Sequence, residues 1–342
     1  MRVSASEFYK RPSYYFDLVA QGTSIEITRH GRVISRLEPP QDQHAEAVEM
    51  QPLISGAAKQ VQGFVFGAFT YGGVWQGMAP FEKLEQILGI TFSIVHWFMN
   101  FEQAWSAQML AQASSKGRTP LISWEAHHVN LAEISAGHYD AYLKTWAVGA
   151  QAFAKPVYLR PFPEMNGNWT PWNGAPEDLK AAWRHMVDLF RASGSHNVKW
   201  VWCPNITDYP PTPENAMERY FPGDAYVDIL ALDGYNWGTT KPDTRWQTFE
   251  TIFVEPYKRI VKLADKPVWI TETACAEQSN FDKAAWIRDM FTCLAFPKLE
   301  AVIWFNQNKE ADWRMDSSSQ TLLAFQDNLA DLLMAGLAQP NA

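Results

Sequence analysis

Residues 156–172, "PVYLRPFPEMNGNWTPW", decide how the chain is read. Pro156 to Pro161 form a short apolar run of strand type. The next eleven residues turn polar, aromatic and rigid, and place one carboxylate, Glu164, among two tryptophans, two asparagines and a methionine. A strand that delivers an acid into an aromatic loop gives a pattern to search for in the rest of the chain.

Working outward, seven more short apolar runs bounded by turn residues stand at 64–69 "FVFGAF", 91–97 "TFSIVHW", 119–124 "TPLISW", 197–203 "NVKWVWC", 227–233 "VDILALD", 267–272 "PVWITE" and 300–305 "EAVIWF". Helical stretches separate them. In 176–193, Leu179, Trp183, Met186, Val187 and Phe190 recur at helical spacing, with Pro176 at the start and Gly194 just past the end. Strands alternating with helices predict a parallel sheet, and eight such units fit an α/β protein of the (β/α)8 TIM barrel type over residues 61–342. A doubly wound open sheet is the alternative. It usually carries a glycine-rich phosphate loop after its first strand, and "GAFTYGGVWQG" (67–77) has neither that glycine spacing nor a phosphate-binding lysine.

Composition bounds the partners. The 342 residues are 47% hydrophobic, enough to bury a full core, and the net charge of −8 argues against a chain that binds nucleic acid or an anionic membrane over its whole surface. Three cysteines, Cys203, Cys275 and Cys293, are too few for a disulfide framework. The N-terminus lacks the apolar run of a signal peptide and no stretch is long and apolar enough to span a bilayer, so the sequence points to the cytoplasm and to no membrane. No metal or cofactor is implied: the eight histidines include no H-x-x-x-H pair, and His127-His128 are adjacent, not on one face. The unusual quantity is 16 Trp beside 20 Phe and 12 Tyr, against 19% charged residues. A large core absorbs about half of the tryptophans on this reading. The others suit sugar rings, whose C–H faces stack on flat aromatics.

Barrels of this type carry their chemistry at the C-terminal ends of the strands. Those ends supply Phe69 and Tyr71; His96 and Trp97; Trp124 and Glu125; Arg160 through Glu164; Asn205; Asp233, Tyr235 and Trp237; Glu272; and Trp304 with Asn306. Two carboxylates stand out, Glu164 after the fourth strand and Glu272 at the end of the seventh. Glycosidic cleavage needs one acid to protonate the leaving oxygen and a second carboxylate on the other side of the sugar, and strands four and seven face each other across a barrel mouth. The apolar setting of Glu164 raises a carboxyl pKa, as a proton donor near neutral pH requires. Trp169 and Trp172 are expected to stack sugars, and Arg160 to brace the loop or a carboxylate.

The barrel resembles glycoside hydrolase family 26. The family's R-P-x-H-E-x-x-G-x-W is matched by Arg160, Pro161, Glu164, Gly167 and Trp169, its D-x-Y-x-W by Asp233, Tyr235 and Trp237, with Glu272 on strand seven and Trp304 in "IWFN". The resemblance implies Glu164 as acid/base, Glu272 as nucleophile, Tyr235 orienting it and Trp304 as a floor for the sugar. His96, Trp97, Trp124, Glu125, Asn205 and Trp237 join Arg160, Trp169 and Trp172 as candidate substrate contacts. One departure is plain: the family histidine before the acid is Pro163, and His96, His127 and Asn166 are the candidates to replace it. The implied activity is retaining, endo-acting hydrolysis of a β-1,4-linked polysaccharide. β-Mannan is expected as the family's commonest substrate, with β-1,3-1,4-glucan and β-1,3-xylan as the alternatives.

Residues 1–40 follow another pattern: "RVSASEF", a helical "SYYFDLVAQG", and an alternating hairpin "TSIEITRHGRVISRLEPP" turned at His30-Gly31. This segment resembles the Phd/YefM-type antitoxins, through Val3, Ser4, Ser6, Glu7, Phe8, Gly22, Ile27, Arg29, Gly31, Leu37 and Pro39. The resemblance implies a small α+β unit that dimerises and binds DNA. Residues 41–60 read as a linker. A carbohydrate-sensing barrel joined to a DNA- or toxin-binding unit is the rival from another class.

Overall fold

Eight parallel strands close into a barrel in chain order: β1 (Val65–Thr70), β2 (Ile94–Asn100), β3 (Thr119–Glu125), β4 (Val157–Pro161), β5 (Val198–Trp202), β6 (Ile229–Asp233), β7 (Val268–Thr273) and β8 (Leu299–Asn306), which returns to pair with β1. The structure, a computed structural model, describes residues 1–4, 23–29, 32–37 and 63–341. Helices α1 (Ala79–Leu88), α2 (Ala107–Ala113), α3 (Leu131–Ser135), α4 (Asp140–Phe153), α5 (Pro176–Ala192), α6 (Phe249–Ile260), α7 (Lys283–Thr292) and α8 (Ser319–Met334) follow the strands. The expected helix at 176–193 is α5, with Pro176 in its first turn and Gly194, at φ +78°, just beyond it.

Strand parity divides the core in two. Ile94, Leu121, Val201, Ile229, Trp269 and Ile303 fill the barrel interior, while Val95, Trp97, Ile122, Trp124, Val302 and Trp304 point outward into the helix layer. Gly67 of β1 permits closure, since a Cβ there would stand 2.7 Å from the Cβ and the carbonyl oxygen of Ile94.

The second strand lies three residues later than its apolar run predicts. Ile90–Thr91 instead pairs antiparallel with Gln339–Pro340, and β2 begins at Ile94. His96 and Trp97 are therefore mid-strand residues rather than strand-end residues.

The chain divides into two compact units, Met1–Ala57 and Ala58–Ala342. In the first, Arg2–Ser4 runs parallel to Ile25–Arg29, which pairs antiparallel with Arg32–Leu37, placing Ile25 opposite Leu37. The expected helix, the His30-Gly31 turn and the 41–60 linker lie outside the described residues. Among the described residues no helix is long and apolar enough to cross a membrane, and Cys203, Cys275 and Cys293 are free and buried.

Candidate active site

The loop after β4 is built to hold one side chain. Phe162 and Glu164 both adopt left-handed backbone, φ +52° and +55°, each costing about 1–2 kcal/mol for a residue with a Cβ. The loop is held by bonds from every side. Glu164 N–H donates to the Cys203 carbonyl at 2.9 Å and Gly167 N–H to the Glu164 carbonyl at 2.9 Å. The Trp172 indole donates to the Pro163 carbonyl at 2.8 Å. Asn166, fully buried, accepts from Asn205 N–H at 2.8 Å and donates to the Asn205 carbonyl and Asp208.

So held, the Glu164 carboxylate accepts from Asn205 Nδ2 at 2.6 Å and from Trp169 Nε1 at 2.5 Å. Burial, reinforced by the nearby Glu272 charge, pushes its pKa above the usual carboxylate value, against the pull of those two donors. Gly167 is needed here, because a Cβ would stand 2.2 Å from the Trp169 ring.

Glu272 owes its aim to an irregularity in β7. Leu232 is level with Ile270, but Asp233 is level with Glu272, so one extra residue enters β7 at this point. Such a bulge re-aims a side chain. Thr271 stays inside the barrel, where its hydroxyl donates to Asp233 at 2.8 Å. Glu272 accepts from the Tyr235 hydroxyl at 2.7 Å on one oxygen and from Arg160 on the other. Burial and the adjacent Glu272 charge push the Tyr235 pKa well up, so the phenol keeps its proton. Arg160 is wholly buried and ties Glu272 to Asp233, with Nη1 2.6 Å from the Asp233 carboxylate.

Both carboxylates open on a cleft of about 1040 Å³ at the C-terminal mouth of the barrel. Of the other candidates from sequence, Glu125, Trp169, Trp172, Asn205 and Trp237 line it. Five do not, and parity gives the reason. Trp97, Trp124 and Trp304 are on the outward side of their strands, buried against the helices. Trp304 packs on Phe325 and donates its indole N–H to the Trp313 carbonyl at 2.7 Å, so it is no floor for a sugar; Phe305 lines the cleft instead, and Trp313, itself 1% exposed, forms part of the wall. His96 points into the barrel interior, 2.6 Å from Ser123 Oγ, and burial holds its pKa well below the usual value. Arg160, also interior, touches carboxylates rather than the open cleft. Of the candidates to replace the family histidine, His127 lines the cleft, 3.0 Å from Glu125, whose pKa burial raises; His96 and Asn166 do not line it.

Sequence reasoning missed Phe98, Phe305, Trp313 and Lys241, which all line the cleft. Parity would have supplied two of them, Phe98 and Phe305, as inward neighbours of Trp97 and Trp304. Among the described residues no group of three or more His, Cys, Asp or Glu side chains is placed to hold a metal ion.

Two carboxylates at the ends of β4 and β7 of a (β/α)8 barrel, over an aromatic cleft, define the class of barrel glycosidase folds. The chain belongs to glycosyl hydrolase family 26, whose model matches residues 91–320. It is similar to Endoglucanase H of Acetivibrio thermocellus, 34% identical over 287 residues covering 78% of this chain and 31% of that protein. A mannan endo-1,4-beta-mannosidase A and B of Caldalkalibacillus mannanilyticus is 31% identical over 144 residues, 39% of this chain and 25% of that protein. The match thus spans less than a third of these curated relatives' length. Among solved structures, a modular endo-β-1,4-mannanase from Cellulomonas fimi superposes with a TM-score of 0.58 over 79% of this chain and 71% of that one. At 18% identity it speaks for the fold alone.

Proposed function

We propose that the barrel is a retaining, endo-acting β-glycoside hydrolase, and one observation carries this reading. Glu164 and Glu272 open on the same cleft but in contrasting settings: Glu164 meets only neutral donors, whereas Glu272 is paired with Arg160. The first setting favours a proton-bearing acid and the second a charged nucleophile.

In the first step Glu272 attacks the anomeric carbon while Glu164 gives its proton to the glycosidic oxygen, so the C–O bond breaks and a glycosyl ester on Glu272 forms. In the second, the Glu164 carboxylate takes a proton from water, which attacks the same carbon and frees Glu272. Tyr235 holds one Glu272 oxygen and Arg160 the other, which fixes the attacking carboxylate. Trp169, 52% exposed, keeps Glu164 in place and has its ring open to a sugar, and Trp237 lines the cleft with Lys241 Nζ 3.2 Å over its ring.

β-Mannan, expected from the resemblance, keeps the support of the relatives named mannan endo-1,4-beta-mannosidase. A specific observation favours a β-1,3-1,4-glucan as the second reading: the match reaching across 78% of the chain is to an endoglucanase. Side-by-side product release from β-mannan, β-1,3-1,4-glucan and β-1,3-xylan decides between them, with Glu272→Ala as control. Release from none of them would remove the hydrolase reading and favour a barrel that binds carbohydrate without cutting it.

For the N-terminal unit, the antitoxin resemblance and a net charge of +2 over residues 1–40 support an appendage, joined through residues 41–60, that dimerises or binds DNA. Salt-dependent binding of the full chain to its own promoter DNA would support the DNA role. Unchanged mobility at low salt would leave dimerisation.

A further inference from the structure

The geometry points to Lys283 as a positioning residue for the substrate cleft: it fastens the β8–α8 loop that carries Trp313. This rests on the cleft being the sugar site, as proposed above.

Lys283 opens α7, yet its side chain is almost fully buried, 1% exposed. Its Nζ donates to the carbonyls of Asp312 (3.1 Å) and Arg314 (2.9 Å) and to Ser317 Oγ (3.0 Å), so all three ammonium hydrogens are spent on one loop. Among the described residues no carboxylate forms an ion pair with it. A buried lysine with no counter-ion is costly, so its three hydrogen bonds to the loop are what offset its desolvation.

The loop it fastens, residues 307–318, contributes Gln307, Lys309, Glu310 and Trp313 to the cleft. Trp313 lies with its ring centroid 5.2 Å from Tyr235 and 4.8 Å from Trp237. Tyr235 in turn holds Glu272. A contact chain therefore runs from Lys283 through the loop and Trp313 to the carboxylate pair. The opposite side of the anchor is closed by Glu277, which accepts from Ser317 Oγ at 2.5 Å and Thr321 Oγ1 at 2.9 Å.

The groups facing Nζ are Glu277 and Cys275 from the β7–α7 segment, Asp312 and Arg314 from the loop, and the Trp304 ring of β8, 5.8 Å away. Burial, the leading cause, lowers the Lys283 pKa to about 8, although Glu277 and Asp312 pull it the other way.

The test is Lys283→Met, read by hydrogen exchange of residues 307–318 and by KM and kcat separately on the polymer that wild type cleaves. The expected result is faster exchange in that loop with the barrel strands unchanged, a KM raised about tenfold, and a kcat within about threefold. If Lys283→Met does not fold, Ser317→Ala removes one acceptor and should give the same local exchange with a two- to threefold rise in KM. Unchanged loop exchange, or equal loss in kcat and KM with exchange raised everywhere, would overturn the proposal. Since exchange needs no turnover, failure of the hydrolase reading is seen separately.

Discussion

The tryptophans of the outer layer sit on the barrel strands and those of the cleft on the loops that follow them, and they do different things. Trp124 and Trp304 are sealed between barrel and helices, with indole N–H groups bonded to Tyr142 and to the Trp313 carbonyl. Trp169 is 52% exposed and its N–H is spent on Glu164. In the outer layer the ring is the useful part and the N–H is a cost to be satisfied. At Trp169 the N–H holds a reacting group and the ring stays open. Position relative to the sheet, not residue type, separates the two roles.

The largest effect is expected at the carboxylates of the cleft. Glu272→Ala should lower kcat by at least about 10⁴-fold without loss of fold, read by initial rates beside the melting curve. A variant of the outer layer should do the reverse. Trp124→Ala removes a fully buried ring and should cost about 3–5 kcal/mol of stability. Its surviving folded fraction should keep KM within about threefold, measured by active-site-normalised kinetics. Trp169→Phe sits between these limits. It keeps a stacking face but deletes a donor to the Glu164 carboxylate, so the pKa of the acid rises further, and the alkaline limb of kcat/KM moves to higher pH while thermal stability stays nearly constant. Trp97→Phe should barely register in any rate.

The smallest effect is on stability, at Glu164. Its folded pKa lies above the unfolded value, so its contribution to stability is full below the unfolded pKa and lost as pH rises through the folded one. Glu164→Gln should therefore melt a few degrees higher than wild type at neutral pH, with the gain gone near pH 4, even though the variant is inactive. Differential scanning calorimetry at the two pH values reads this directly.

Much of the barrel was legible because its strands are apolar on both faces and its helices are periodic. The eight runs and α5 stand where sequence places them to within a few residues. The same two-sided burial hid the parity: "IVHW" and "VIWF" are apolar throughout, so nothing in them tells that His96 and Phe305 point inward while Trp97 and Trp304 point out. The run "TFSIVHW" also began three residues early, since Ile90–Thr91 pairs with the distant Gln339–Pro340. Glu164 and Glu272 could be picked from their strand ends, but the devices that aim them could not. The left-handed backbone at Phe162 and Glu164 and the extra residue in β7 break local preference, and only the surrounding hydrogen bonds make them affordable. Trp313 carries no motif at all and reaches the cleft because Lys283 and Glu277 hold its loop.

Glu164 and Glu272 are proposed to act in two displacements at one carbon. The direct measurement is proton NMR of the reducing end first released from the polymer that wild type cleaves. β-Anomer should appear first, with α-anomer growing in only by mutarotation, and Glu272→Ala should release none. First-formed α-anomer, or β-anomer released at an undiminished rate by Glu272→Ala, would contradict it.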